Sequence, residues 1–154
     1  MFRLMMTTRC LALAAFAWLS LAASAGAQSF VNFEGKQVSP VRLSPDGSRL
    51  FAVNTPDNRL SVFDVTSPLN PVLIAEIPVG LEPVSVHPVS NDEAWVVNEV
   101  SDSVSVVSVS RGIVTDTLPA KDEPVDVVFA AGRAFVSCSR NNLIRVFDLA
   151  THAE

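Results

Sequence analysis

The 154-residue sequence predicts an all-β fold built from repeated four-stranded antiparallel units. Three observations carry this prediction. Apolar and polar residues alternate with period two over short runs, most clearly in Leu60–Val65 (LSVFDV) and Val104–Val109 (VSVVSV). Those runs are rich in β-branched residues and are separated by Gly, Pro, Asn and Asp, which favours strands over helices of similar repeat length. The same runs then return at offsets of 44 and 40 residues.

Taken in chain order, residues 1–27 stand apart from that pattern. Arg3 and Arg9 precede an apolar run from Leu11 to Ala23, and Ala25-Gly26-Ala27 supplies a small-x-small cleavage site before Gln28. This is the three-part pattern of a secretory signal peptide, and the run is shorter than the ~20 residues of a membrane span. Export to the periplasm, the medium or the cell surface is expected, with no transmembrane segment after cleavage.

Residues 28–154 hold the repeat. Pro40-Val41-Arg42-Leu43, Pro83-Val84-Ser85-Val86 and Pro124-Val125-Asp126-Val127 form the first strand of each unit. Arg49–Asn54 (RLFAVN), Glu93–Asn98 (EAWVVN) and Arg133–Cys138 (RAFVSC) form the second, with Phe51, Trp95 and Phe135 as equivalent core positions. Asn58–Val65, Asp102–Val109 and Asn142–Leu149 form the third, and Leu73–Val79 with Ile113–Pro119 the fourth. Four short strands per ~40–45 residues is the pattern of a β-propeller blade. Blade 1 is placed at about 38–79, blade 2 at about 80–119, and an incomplete blade 3 at about 120–154. Residues 29–33 read as a strand that closes a ring by joining its last blade. Propellers have about four to eight blades, so the chain reads as the N-terminal part of a larger ring.

The residues Phe51-Ala52-Val53-Asn54 and Trp95-Val96-Val97-Asn98, the turn Ser44-Pro45-Asp46-Gly47, and the strands NRLSVFD and NLIRVFD together resemble the YVTN β-propeller family. Two departures occur in blade 3, where Ala130-Ala131-Gly132 replaces the Asp-Gly turn and Cys138 replaces the strand-ending Asn. The resemblance implies an exported propeller scaffold, since many such proteins are periplasmic or surface-layer components.

Composition narrows the function. Without residues 1–27, nine Lys+Arg face sixteen Asp+Glu, a balance of −7 with no basic run, so a nucleic-acid partner is excluded. Cys138 is then the one cysteine, set in an apolar strand where a buried, inert thiol is expected. No nucleophile motif, metal-type His/Cys cluster, C-x-x-C-H haem motif or phosphate-cradling Gly loop occurs, so no catalytic residue, cofactor or metal is assigned.

Strand order sends the second-to-third-strand loops and the inter-blade loops to one face. Asp57, Glu82, Glu99, Asp102, Asp122 and Glu123 collect there against Lys121 and Arg140. This acidic face is the candidate site for a protein or small-ligand partner, although no loop has calcium-site spacing. His87 reads as a variant turn residue at the position of Ser44, and His152 as part of a frayed end. Asp64 and Asp148 are expected to cap turns. Arg42, Ser85 and Asp126 share one inner-strand position, which suits a wet channel or an inter-blade salt bridge. Three functions fit: a non-catalytic exported scaffold, the propeller segment of a periplasmic enzyme (lactonase-like or haem/quinone-linked) with its active site elsewhere, and a surface or adhesion module.

Overall fold

A computed structural model describes residues 36–154. The expected signal peptide and the ring-closing strand at 29–33 lie outside the described residues. Eleven strands are described: β1 Val41–Leu43, β2 Arg49–Asn54, β3 Arg59–Asp64, β4 Val72–Pro78, β5 Pro83–Pro88, β6 Glu93–Asn98, β7 Ser103–Ser108, β8 Ile113–Pro119, β9 Pro124–Ala130, β10 Arg133–Cys138 and β11 Leu143–Asp148. They form three antiparallel sheets in sequence order: β1–β4, β5–β8 and the three-stranded β9–β11. Each sheet is one blade.

The turns follow from local chemistry. In the β1–β2 turn, Gly47 takes φ +73°. Asp46 Oδ1 accepts the Ser48 N–H at 2.9 Å and the Ser44 hydroxyl at 2.7 Å, which closes an Asx turn. Blade 3 makes the same connection with Ala131 and Gly132, at φ +49° and +73°. Two left-handed residues in a two-residue loop make a type I′ hairpin, so the missing Asp-Gly changes the turn and leaves the strands in place. Asp64 Oδ1 accepts the N–H and hydroxyl of Thr66, and Asp148 Oδ1 accepts the N–H groups of Ala150 and Thr151. Both aspartates therefore cap the turn after the third strand.

Irregularities recur with the repeat. A bulge falls between Val62 and Phe63 in blade 1 and between Val106 and Val107, the equivalent pair, in blade 2. In the fourth strand the sequence alignment is off by one residue. Pro78 pairs with Arg59 and Pro119 with Ser103, so the equivalent of Pro78 is Pro119 and the offset is 41. The strand is fixed by its pairing to the third strand, and the loop before it absorbs the difference in length.

Side-chain alternation gives each blade two faces. Phe51, Val53, Leu60, Val62 and Ile77 on the front of blade 1 pack on Val86, Ala94, Val96 and Val107 on the back of blade 2. Trp95, Val97, Val104, Val106 and Leu118 on the front of blade 2 pack on Val127, Ala134, Val136 and Phe147 of blade 3. The core is thus two inter-blade layers. Phe51 and Trp95 are fully buried, whereas Phe135 is half-buried because no described residue covers the front of blade 3. Cys138 is buried in the second layer, and burial pushes its thiol pKa up.

The end of the chain is not frayed, contrary to the sequence reading. Asp148 N–H donates to Ala153 O at 2.8 Å, folding residues 151–153 back. His152 then stands edge-on to Trp95 at a ring distance of 5.5 Å, with Nδ1 3.1 Å from Asp116 Oδ2. The fold holds this residue through Trp95, the largest side chain of the core.

Candidate functional site

The loop face is assembled by one device used twice. Asn58 and Asp102, equivalent in the repeat, both take left-handed backbone at φ +54° and +49°. Asn58 Oδ1 accepts the N–H of Glu82, and Asp102 Oδ1 accepts the N–H of Glu123, each at 2.8 Å. Their main-chain oxygens also accept from the inter-blade loops, Asn58 from Val79 and Asp102 from Ala120. Asn and Asp tolerate left-handed backbone better than other non-Gly residues, so the residue type matches the conformation. Each residue clasps the loop within its blade to the loop leading to the next.

The clasps bring Glu82, Glu99 and Glu123 together. Glu99 N–H donates to Glu82 O at 2.9 Å, and the equivalent Ser139 N–H donates to Glu123 O at 2.9 Å. Glu99 is half-buried, and its pKa is raised, first by burial and then by the charges of Glu82 and Glu123. Arg140 Nη1 pairs with Glu123 Oε1 at 3.2 Å, and Asn141 donates to Asp122. Asp57 lies in a 3₁₀ turn and pairs with Arg59 at 2.9 Å, facing its own blade's strand. Asp102 is engaged as a clasp.

Two features of this face were not read from the sequence. Lys121, Asp122 and Glu123 are consecutive left-handed residues, at φ +55°, +60° and +57°. Runs of such backbone are costly for residues with a Cβ, and the Asp102 clasp is what holds this one. Leu81 and Val100 are both exposed beside Glu82 and Glu99, giving the acidic face an apolar component. Gly80 makes the approach possible, because a Cβ there would lie 2.6 Å from Asn98 Cγ and 2.4 Å from Ser101 Oγ.

The inner strands carry a second polar group. His87 lies within β5, and its Nε2 is 2.7 Å from Asp126 Oδ1 on β9. Asp126 thus makes an inter-blade link, and His87 is its partner and not a turn variant. Arg42 does not share the position of Ser85 and Asp126 as the sequence alignment places it: it pairs with Phe51 as His87 pairs with Trp95, because the bulge at the start of β5 shifts the first strand. Arg42 donates to Ser39 Oγ at 2.9 Å, while the Ser85 hydroxyl is buried with no partner among the described residues. No three His, Cys, Asp or Glu side chains among the described residues are placed to share a metal ion.

These sheets and faces define a class: the described residues are consecutive blades of a β-propeller. No family model and no curated protein matches the chain. Among solved structures it is similar to hydrazine synthase of Kuenenia stuttgartiensis, with 25% identity and a TM-score of 0.67 over 81% of this chain and 38% of that one. It is also similar to Hsv2 of Kluyveromyces lactis (9% identity, TM-score 0.55, 77% of this chain and 36% of that chain). Dihydro-heme d1 dehydrogenase NirN, in complex with DHE, shares the fold at 16% identity and TM-score 0.59, over 69% and 24%. The chain spans well under half the length of each of these propeller proteins.

Proposed function

We propose that this chain is the propeller portion of an exported, non-catalytic binding protein whose acidic loop face receives a basic protein segment. The observation that supports this most is the convergence of Glu82, Glu99 and Glu123, where Glu99 is raised in pKa first by burial and then by the charges of the other two. A cation placed among them relieves like-charge repulsion, and the flanking Leu81 and Val100 offer apolar contact. The YVTN-like repeat and the A-x-A site before Gln28 support export.

A lysine-rich peptide with interspersed leucines is the probe. Calorimetry should show binding that weakens with salt and is lost in the Glu82→Gln/Glu99→Gln/Glu123→Gln variant; equal binding by that variant overturns the reading. N-terminal sequencing of the exported product should begin at Gln28, and a product retaining Met1 contradicts export.

The likeness to hydrazine synthase and NirN favours a second reading, a propeller segment of a periplasmic oxidoreductase whose site lies outside these residues. A C-x-x-C-H motif encoded beyond Glu154 would select it over the scaffold.

A further inference from the structure

The seam between blades 1 and 2 is not apolar throughout. Toward the loop face it opens into a pocket of about 330 Å³, with Val79 and Val114 on its walls beside Ser101, Ser103, Ser105 and Thr117. None of the described residues lining it is charged. Both blades are complete four-stranded sheets here, so the pocket belongs to the body of the fold.

Asn98 stands behind the serines. It is fully buried, and its Nδ2 donates to Ser105 Oγ at 3.0 Å and to Ser103 Oγ at 3.3 Å. Its Oδ1 has no partner among the described residues. The Ser101 hydroxyl, 2.9 Å from that of Ser103, accepts the Leu81 N–H at 3.0 Å. A hydroxyl offers one proton and two lone pairs, so this group holds more acceptor places than protons. Unmet buried acceptors are costly. A ligand made only of donors suits the site.

The repeat points to the same chemistry. In the seam between blades 2 and 3, the equivalents of Asn98 and Ser105 are Cys138 and Arg145. Burial raises the Cys138 thiol, and the nearby Arg145 charge partly offsets this. Arg145 also donates from Nη2 to Glu154. The second seam thus carries its own cation where the first carries serines and a hollow.

We propose that this pocket takes the ammonium end of a lysine side chain, with its methylenes on Val79 and Val114 and its N–H groups donating to the Ser103 and Ser105 hydroxyls. An ammonium is compact, with three donors and no acceptor. The lysine comes from the basic segment proposed for the acidic face, so the inference rests on that reading. Gly80 and Ser101 at the pocket are two residues from Glu82 and Glu99 respectively. One lysine can therefore enter the pocket while its neighbours meet the carboxylates.

NMR of the full chain, titrated with n-butylammonium chloride as a lysine side-chain mimic, tests the pocket. Saturating shifts should centre on the Val79 and Val114 methyls and the Asn98 side-chain amide. n-Butanol, similar in shape but uncharged, should bind about tenfold more weakly or less, and Ser105→Ala should weaken n-butylammonium by about tenfold. Thr117→Arg, at an exposed position, supplies a built-in cation as Arg145 does and should abolish the shifts. Both variants should keep strand-type circular dichroism and weaken the lysine–leucine peptide in calorimetry. n-Butanol binding as tightly as n-butylammonium, or shifts absent from these residues, overturns the proposal. Peptide binding that is lost in the triple glutamine variant but unmoved by Ser105→Ala and Thr117→Arg overturns the pocket and leaves the acidic-face reading standing. Pocket shifts with n-butylammonium but no peptide binding overturn the lysine source together with that reading.

Discussion

His87 Nε2 lies 2.7 Å from Asp126 Oδ1, a bond that joins the innermost strands of blades 2 and 3. Both residues are half-buried, so solvent screens the pair only partly. Two otherwise separate sheets are linked here by side chains as well as by the apolar layer behind them.

A double-mutant cycle with His87→Ala and Asp126→Ala, followed by urea unfolding, should give a coupling of about 1–2 kcal/mol. A coupling near zero would mean the two side chains act independently and the bond does not link the blades.

The clasp makes a sharper distinction. Asp102→Ala removes the acceptor for the Glu123 N–H and places alanine in left-handed backbone, so it should cost about 1–3 kcal/mol. Asp102→Asn keeps both the acceptor and the backbone preference, as Asn58 does in blade 1, and should be within about 0.5 kcal/mol of wild type. An asparagine variant as damaged as the alanine variant would show that Asp102 acts through its charge.

The contrast between blade and loop explains what the sequence made legible. Second and third strands were readable because their alternation and apolar positions repeat with little change, so Phe51 and Trp95 could be placed in the core from spacing alone. Fourth strands were less readable: little alternation marks them, and the register of Val72–Pro78 comes from pairing with β3. Contacts between blades, such as His87 with Asp126 or His152 with Trp95, depend on how twisted sheets approach, which no local pattern encodes. The loop face was half visible. Its acids were countable, but the separation of Asp57 from the Glu82–Glu99–Glu123 group depends on the clasps. The left-handed run at Lys121–Glu123 has no signal in residues that disfavour it.

Opposed carboxylate shifts give a pH signature. Asp46 is lowered from 3.8 to about 2 by the Ser48 N–H and by the Ser44 and Ser48 hydroxyls. Asp64 is lowered by the Thr66 hydroxyl and N–H, and Asp148 by the N–H and hydroxyl of Thr151. A folded pKa below the unfolded one adds stability that is complete above about pH 4 and is lost as pH falls toward about 2. Glu99 has the reverse sign: its raised pKa means that ionising it costs the folded state stability at neutral pH. Glu99→Gln should therefore raise Tm at pH 7, with the gain vanishing below the ordinary carboxylate range near pH 4. Thermal melts from pH 3 to 8 measure both, and a lower Tm for Glu99→Gln at pH 7 would contradict the assignment.

The central claim is that one repeat step builds every blade, and that burial at a given position is decided by the neighbouring blade. Equilibrium denaturation of Leu60→Ala and Ile144→Ala tests it most directly, because the two positions are equivalent and differ in burial. Leu60→Ala should cost about 2–5 kcal/mol, and Ile144→Ala should stay within about 0.5 kcal/mol. Equal losses at the two positions would contradict the account, because front 3 would then be packed like front 1.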